Sequence, residues 1–93
     1  MQATIHIRGH VQGVFFRATA KEEADKRGLF GWIKNETDGS VSALVQGSEA
    51  DIQTFIEWCS EGPSAARVTK VEVEWDEKPA KHLKSFDIVH EGC

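Results

Sequence analysis

Near its amino end the chain runs Ala3-Thr4-Ile5-His6-Ile7-Arg8-Gly9-His10-Val11-Gln12-Gly13-Val14-Phe15-Phe16-Arg17. The first six of these residues alternate apolar and polar side chains, which predicts a β-strand with one buried face. Two glycines, Gly9 and Gly13, then indicate a short turn. From Phe16 onward apolar residues recur at helical spacing, at Ala20 and Ala24. The segment therefore predicts a strand, a glycine-containing loop and the start of a helix, in that order.

This order of elements provides an anion site that is made largely of backbone. The N–H groups of the loop and of the first helical turn point their positive ends at one spot. Arg17 adds a planar guanidinium, which can hold two oxygens of a phosphoryl group at once. A cation at the start of a helix is mildly unfavourable, and a bound anion removes that penalty. The pattern therefore favours a ligand-binding role for Arg17 over a purely structural one.

The rest of the chain predicts the remaining helix boundaries. The first helix ends at Lys26-Arg27-Gly28, where the basic side chains suit the negative helix end and the glycine suits a left-handed cap. The second helix begins after the N-cap residue Ser48 and ends at Gly62-Pro63. Its apolar stripe is formed by Ile52, Phe55, Ile56 and Cys59.

Four further strands complete the prediction. Strands over 29–36 and 41–46 are joined by a hairpin turn at 37–40, a fourth strand alternates through Val71, Val73 and Trp75, and a short last strand holds Phe86 and Ile88. The order is β-α-β-β-α-β with a short extra C-terminal strand. Two split β-α-β units of this order predict an α+β, ferredoxin-like sandwich, an antiparallel sheet with two helices on one face. Residues 1–93 are expected to form a single domain.

Charge and composition exclude several classes of partner. The net charge is −4, which argues against nucleic acid and anionic membranes, because both require a basic footprint. No apolar run is long enough to span a membrane, and no leader pattern precedes the first strand. We expect a cytoplasmic monomer without a cofactor. We also expect no metal site, since the histidines and cysteines lack metal-ligand spacing. Cys59 is expected to be a buried apolar residue and Cys93 to be frayed, and Trp32 and Trp75 to pack in the core.

The loop also restricts the chemistry that the site can perform. Gly9–Arg17 contains no Cys, Ser, Thr or Asp that could form a covalent phosphoenzyme, and it lacks the Gly-Lys-Ser/Thr end of a Walker A loop. A site without a strong general acid can cleave only a bond whose leaving group departs unprotonated. A carboxylate, with a conjugate acid of pKa about 4, meets that condition. A carboxylic-phosphoric anhydride therefore fits as substrate.

Two segments resemble the signature sequences of one family. Gly9–Arg17 closely resembles the signature loop of acylphosphatases, and Gly31-Trp32-Ile33-Lys34-Asn35-Glu36-Thr37-Asp38-Gly39-Ser40-Val41 resembles their second signature. The resemblance covers nearly the whole chain and implies hydrolysis of acyl phosphates to a carboxylate and inorganic phosphate. It implies that Arg17 binds the substrate phosphate and that Asn35 orients the attacking water. It also implies a phosphate cradle of main-chain N–H groups from His10, Val11, Gln12, Gly13 and Val14.

The chain departs from the family at His10, where arginine is common. If the side chain contributes to the local field, substrate binding should become pH-dependent below about pH 6.5. Two other functions are compatible with the predicted fold: a phosphate-binding module without turnover, and an RNA-binding sheet. Asn35 argues against the first, because a pure binder has no need to position water. The strand 41–46 lacks the paired aromatic residues of the second.

Overall fold

The structure, a computed structural model, describes residues 1–79 and 81–89, so Cys93 lies outside the described residues. The elements follow the predicted order and include the short extra strand. They are β1 (Gln2–His10), α1 (Phe16–Lys26), β2 (Phe30–Asn35), β3 (Val41–Gln46), α2 (Glu49–Glu61), β4 (Arg67–Asp76) and β5 (Phe86–Val89). Two helix ends match their sequence signals: Gly28 has a positive φ of 67° after α1, and Gly62 is the C-cap of α2.

The five strands form one sheet in the order β4-β1-β3-β2-β5. β1 pairs antiparallel with β3 and β4, and β2 pairs antiparallel with β3. These four strands and the two helices form the predicted ferredoxin-like arrangement. β5 pairs parallel to β2, because the chain leaves β4 at one edge, crosses the end of the sheet and returns along the opposite edge. The complete sheet is therefore mixed.

The core lies between the helices and one face of the sheet. Every second residue of β1 from Ala3 to Ile7 is fully buried, as strand alternation requires. The helices contribute the buried side chains of Phe16, Ala20, Ala24, Ile52, Phe55 and Cys59. Cys59 is fully buried, which confirms its predicted role as a buried apolar residue, and this burial raises the pKa of its thiol.

The structure corrects the interpretation of Gly9 as part of the turn. Gly9 lies inside β1, where the register against β4 shifts between Arg8 and Gly9. Its φ is 131°, and a Cβ atom at this position would clash with the carbonyl oxygen of Arg67. Gly9 therefore lies at a β-bulge, where the close approach of β4 leaves no room for a side chain. The loop itself is confined to residues 11–15, which makes it tighter than the sequence suggested.

The tryptophan prediction was wrong for both strand residues. Trp32 neighbours the buried Ile33 on β2, so its side chain lies on the sheet face opposite the helices, where the Lys34 ammonium is 5.4 Å from the ring centroid. Trp75 lies on the edge strand β4 and remains 40% exposed. Strand alternation and edge position, which depend on the sheet as a whole, override the general preference of tryptophan for burial.

Candidate active site

The loop between β1 and α1 is held by two buried side chains. Val11 and Val14 are buried in the core, whereas Gly13 and Phe15 are exposed. Phe15 adopts a left-handed conformation with φ 62° and ψ 23°, which turns the chain directly into α1. The backbone between the two buried valines is therefore displayed toward solvent at the amino end of the helix.

The two helices differ in how their first turns are capped. In α2 the hydroxyl oxygen of Ser48 accepts a hydrogen bond from the Asp51 N–H at 3.2 Å. The cap residue of α1 is Phe15, which supplies no side-chain cap, and the first turn of α1 carries no acidic residue. The free N–H groups of α1 are therefore available to an anion, which is the arrangement that helix N-termini offer to phosphate.

Arg17 lies in the first turn of α1 and is partly buried. Two other arginines are engaged, since Arg8 pairs with Asp38 and Glu72 and Arg27 pairs with Glu23 at 2.9 Å, whereas Arg67 is exposed on β4. Within residues 1–79 and 81–89, the Arg17 guanidinium makes no such ion pair. Its charge is therefore open to a ligand rather than neutralised by a described carboxylate.

Asn35 is the last residue of β2. Its side-chain oxygen Oδ1 is buried and accepts no hydrogen bond from any described residue. A buried acceptor without a partner costs about 1–3 kcal/mol. Such atoms are rare in folded proteins and occur at functional sites among other places.

A cavity of about 290 Å³ brings the central residues of both motifs together. Its lining comprises Val11, Gly13, Phe15, Phe16, Arg17, Ala18, Asn35 and Ile88. Of the predicted site residues, Arg17, Asn35, Val11 and Gly13 thus share one cavity although the motifs are separate in sequence. The other predicted site residues, His10, Gln12 and Val14, are not part of this lining, and His10 is the exposed last residue of β1, paired with Arg67.

The sequence profile of the acylphosphatase family matches residues 3–88. The chain belongs to the acylphosphatase family. It is 46% identical over 88 residues to the acylphosphatase of Anaeromyxobacter dehalogenans, which covers 95% of this chain and 94% of that relative. The resemblance recognised from the two motifs is therefore confirmed, and the chain is an enzyme of the acyl phosphate hydrolase class.

Solved structures show the acylphosphatase fold in two settings. The crystal structure of acylphosphatase from Bacillus subtilis matches with a TM-score of 0.89 and 41% identity, covering 95% of this chain and 97% of that one. Full-length HypF in its phosphate- and nucleotide-bound form matches with a TM-score of 0.80 and 32% identity, covering 98% of this chain and 12% of HypF. The same fold thus occurs both alone and as a small part of a larger chain.

The side chain of Gln12 has a structural role that the sequence motifs did not predict. Its Nε2 donates hydrogen bonds to the carbonyl oxygens of Glu36 at 2.8 Å and of Ser40 at 2.9 Å. These two carbonyls belong to the hairpin that follows Asn35. Gln12 therefore connects the phosphate loop to the β2–β3 hairpin. Its partners are main-chain groups distant in sequence, so no side-chain pattern could have indicated them.

A network of side-chain hydrogen bonds also stabilises the β2–β3 hairpin. Asp38 Oδ1 accepts hydrogen bonds from the Ser40 hydroxyl at 2.5 Å and from the Ser40 N–H at 3.0 Å. These hydrogen bonds, followed by the charge of Arg8, lower the pKa of the Asp38 carboxyl. Because the single hydroxyl proton of Ser40 goes to Asp38, His6 Nε2 must be the donor in its 2.7 Å contact with Ser40 Oγ.

The described residues were compared with the patterns expected of a metal site and of a membrane-spanning helix. Across 1–79 and 81–89, no three His, Cys, Asp or Glu side chains converge as metal ligands would. Neither helix of this part of the acylphosphatase is long and apolar enough to cross a membrane. The polar side chains that line the candidate site are those of Arg17 and Asn35.

Proposed function

We propose that the chain cleaves the carboxyl–phosphate bond of small acyl phosphates by direct attack of water on phosphorus, without a metal ion or a covalent phosphoenzyme. One observation carries this proposal. Arg17, which pairs with no described carboxylate, and Asn35, whose buried Oδ1 has no described donor, line a single cavity at an uncapped helix N-terminus.

The phosphoryl group is bound by charge and by oriented backbone. The main-chain N–H groups of residues 10–14 and the first turn of α1 donate to its oxygens, and Arg17 donates two parallel hydrogen bonds. The loop is already held by the buried side chains of Val11 and Val14. The donors therefore require little reorganisation as charge redistributes in the transition state, which is the condition for effective electrostatic stabilisation.

The attacking water is oriented by Asn35. The side-chain amide of Asn35, which lines the cavity, makes one hydrogen bond to the water, and this bond directs a lone pair of the water oxygen toward phosphorus. A carboxamide is not a base, but phosphoryl transfer through a loose transition state requires little deprotonation before bond cleavage. Position rather than basicity is the contribution of Asn35.

The bonds and protons balance without a further reactant. The water oxygen bonds to phosphorus while the phosphorus–oxygen bond to the acyl group breaks, and its electron pair leaves with the carboxylate. One water proton passes to the phosphate product or to solvent. The carboxylate needs no proton, because its conjugate acid has a pKa of about 4. Every group in this scheme comes from one copy of the chain, which supports a monomeric enzyme.

The test is hydrolysis of benzoyl phosphate in ¹⁸O-labelled water, with and without a strong chelator. We expect unchanged rates with the chelator, label in phosphate rather than benzoate, and equal release of both products before the steady state. Loss of activity on chelation would contradict the metal-free scheme. A burst of benzoate ahead of phosphate would show a covalent phosphoenzyme, and phosphate binding without turnover would leave only a binding module.

A further inference from the structure

Phe15 is the most exposed large apolar side chain among the described residues, with 80% of its surface accessible. Its backbone is left-handed, with φ 62°, a conformation that bulky residues rarely adopt. A glycine at this position would satisfy the loop geometry with less strain. Neither core packing nor backbone conformation therefore explains the aromatic ring.

The position of the ring suggests an explanation. Phe15 lines the same cavity as Arg17 and Asn35, together with Ala18 of α1 and Ile88 of β5. The cavity thus has a polar part, formed by the loop backbone and the two polar side chains, and an apolar part. Ile88 belongs to β5, the edge strand that pairs with β2 on the side away from β3.

The two parts correspond to the two ends of an acyl phosphate. The phosphoryl group takes the polar part, because its charge needs the N–H groups and the guanidinium. The acyl group then has the apolar lining as its remaining contact. A methyl group covers little of such a surface, whereas a phenyl ring can stack against or meet the edge of another aromatic ring.

We propose that Phe15, with Ile88, forms an acyl-group subsite that favours aromatic and extended aliphatic acyl phosphates over acetyl phosphate. The proposal rests on the proposed function for its substrate class. Phe15 is a specificity residue in this scheme: it contacts the leaving carboxylate's hydrocarbon part and takes no part in the transfer of the phosphoryl group.

The experiment compares kcat/KM for benzoyl phosphate and acetyl phosphate in the wild type, Phe15→Ala and Phe15→Leu. Both variants keep a Cβ and hence the same backbone constraint. We expect the benzoyl-to-acetyl ratio to fall by about fivefold to tenfold in Phe15→Ala, the scale of one aromatic contact, and by less in Phe15→Leu. Phe30→Ala is the matched control, since Phe30 is also an exposed phenylalanine and lines a different cavity.

A second measurement separates failure of the subsite from failure of the proposed function. Calorimetry gives the affinities of benzylphosphonate and methylphosphonate, which carry the two kinds of side group and are not hydrolysed. We expect Phe15→Ala to lose the preference for benzylphosphonate, even if no acyl phosphate were turned over. An unchanged ratio in both assays, or equal weakening of both ligands, would overturn the subsite.

Discussion

Among the described residues, Arg17 supplies the one positive side chain in the lining of the candidate site. We expect Arg17→Ala to lower kcat/KM for acyl phosphates by about 10²–10³-fold, the usual effect of removing a transition-state donor. Arg17→Lys should recover only part of this loss, because an ammonium lacks the planar fork. Arg27→Ala is the matched control: it removes an arginine from the other end of α1, where Arg27 pairs with Glu23. Equal kinetics for the Arg17 and Arg27 variants would remove Arg17 from the site.

Asn35 carries a cost to folding that its proposed function explains. Its buried Oδ1 has no described donor, and replacing it with an apolar group removes the cost of desolvating that atom. We therefore expect Asn35→Ala to lose turnover while its unfolding temperature stays equal to or rises above that of the wild type. Its inhibition by inorganic phosphate should be nearly unchanged. A fully active Asn35→Ala enzyme would end the water-orienting role.

At the scale of elements, the phosphate loop and the β2–β3 hairpin act together through Gln12. The Gln12→Ala variant loses two hydrogen bonds to carbonyl groups, with an expected cost of about 1–3 kcal/mol in unfolding free energy. Because Arg17 follows the loop and Asn35 precedes the hairpin, turnover should also fall, while inhibition by phosphate should change less. Denaturant unfolding and steady-state kinetics measure the two effects.

The control for this prediction is Gln53→Ala, which truncates an exposed glutamine on α2. It should match the wild type in both measurements, since surface substitutions usually have small effects. If Gln12→Ala behaved like Gln53→Ala, the two contacts would not hold the loop against the hairpin. A loss of stability without a change in turnover would limit Gln12 to a structural role.

At the scale of the whole molecule, acid stability depends on carboxylates that join distant elements. Asp38 in the hairpin and Glu72 in β4 both contact Arg8 of β1. Hydrogen bonds from Ser40 lower the pKa of Asp38, and the hydrogen bond from Arg8 lowers that of Glu72. A lowered folded pKa stabilises the native state above the unfolded value, about 3.9 for Asp, and that contribution is lost as the pH falls through the folded pKa.

We therefore expect the difference in unfolding free energy between the wild type and Asp38→Ala to be largest near neutral pH and to shrink as the pH falls below about 4. High salt should reduce the Arg8 part of the difference, because these charges are exposed. Denaturant unfolding at a series of pH values measures it. A difference that stayed constant with pH would show that the Asp38 carboxylate charge contributes nothing.

Features that depend on near neighbours along the chain could be predicted from the amino-acid sequence. Alternation along residues 3–8, the caps at Ser48 and Gly28, and the turn at 37–40 are short-range signals, and together they specified the order of elements. The ferredoxin-like arrangement followed from that order. The two motifs, which are continuous in sequence, also sufficed to identify the family.

Features that depend on residues far apart in the chain became visible in the folded molecule. The parallel pairing of β5, the solvent-facing side of Trp32, the bulge at Gly9 and the bonds of Gln12 each require a partner strand or hairpin to be in place. The cavity shared by Arg17 and Asn35 likewise forms only when the loop, α1, β2 and β5 are packed together. Periodicity along a chain reports which face of an element is buried, but which elements meet at that face is set by packing of the complete fold.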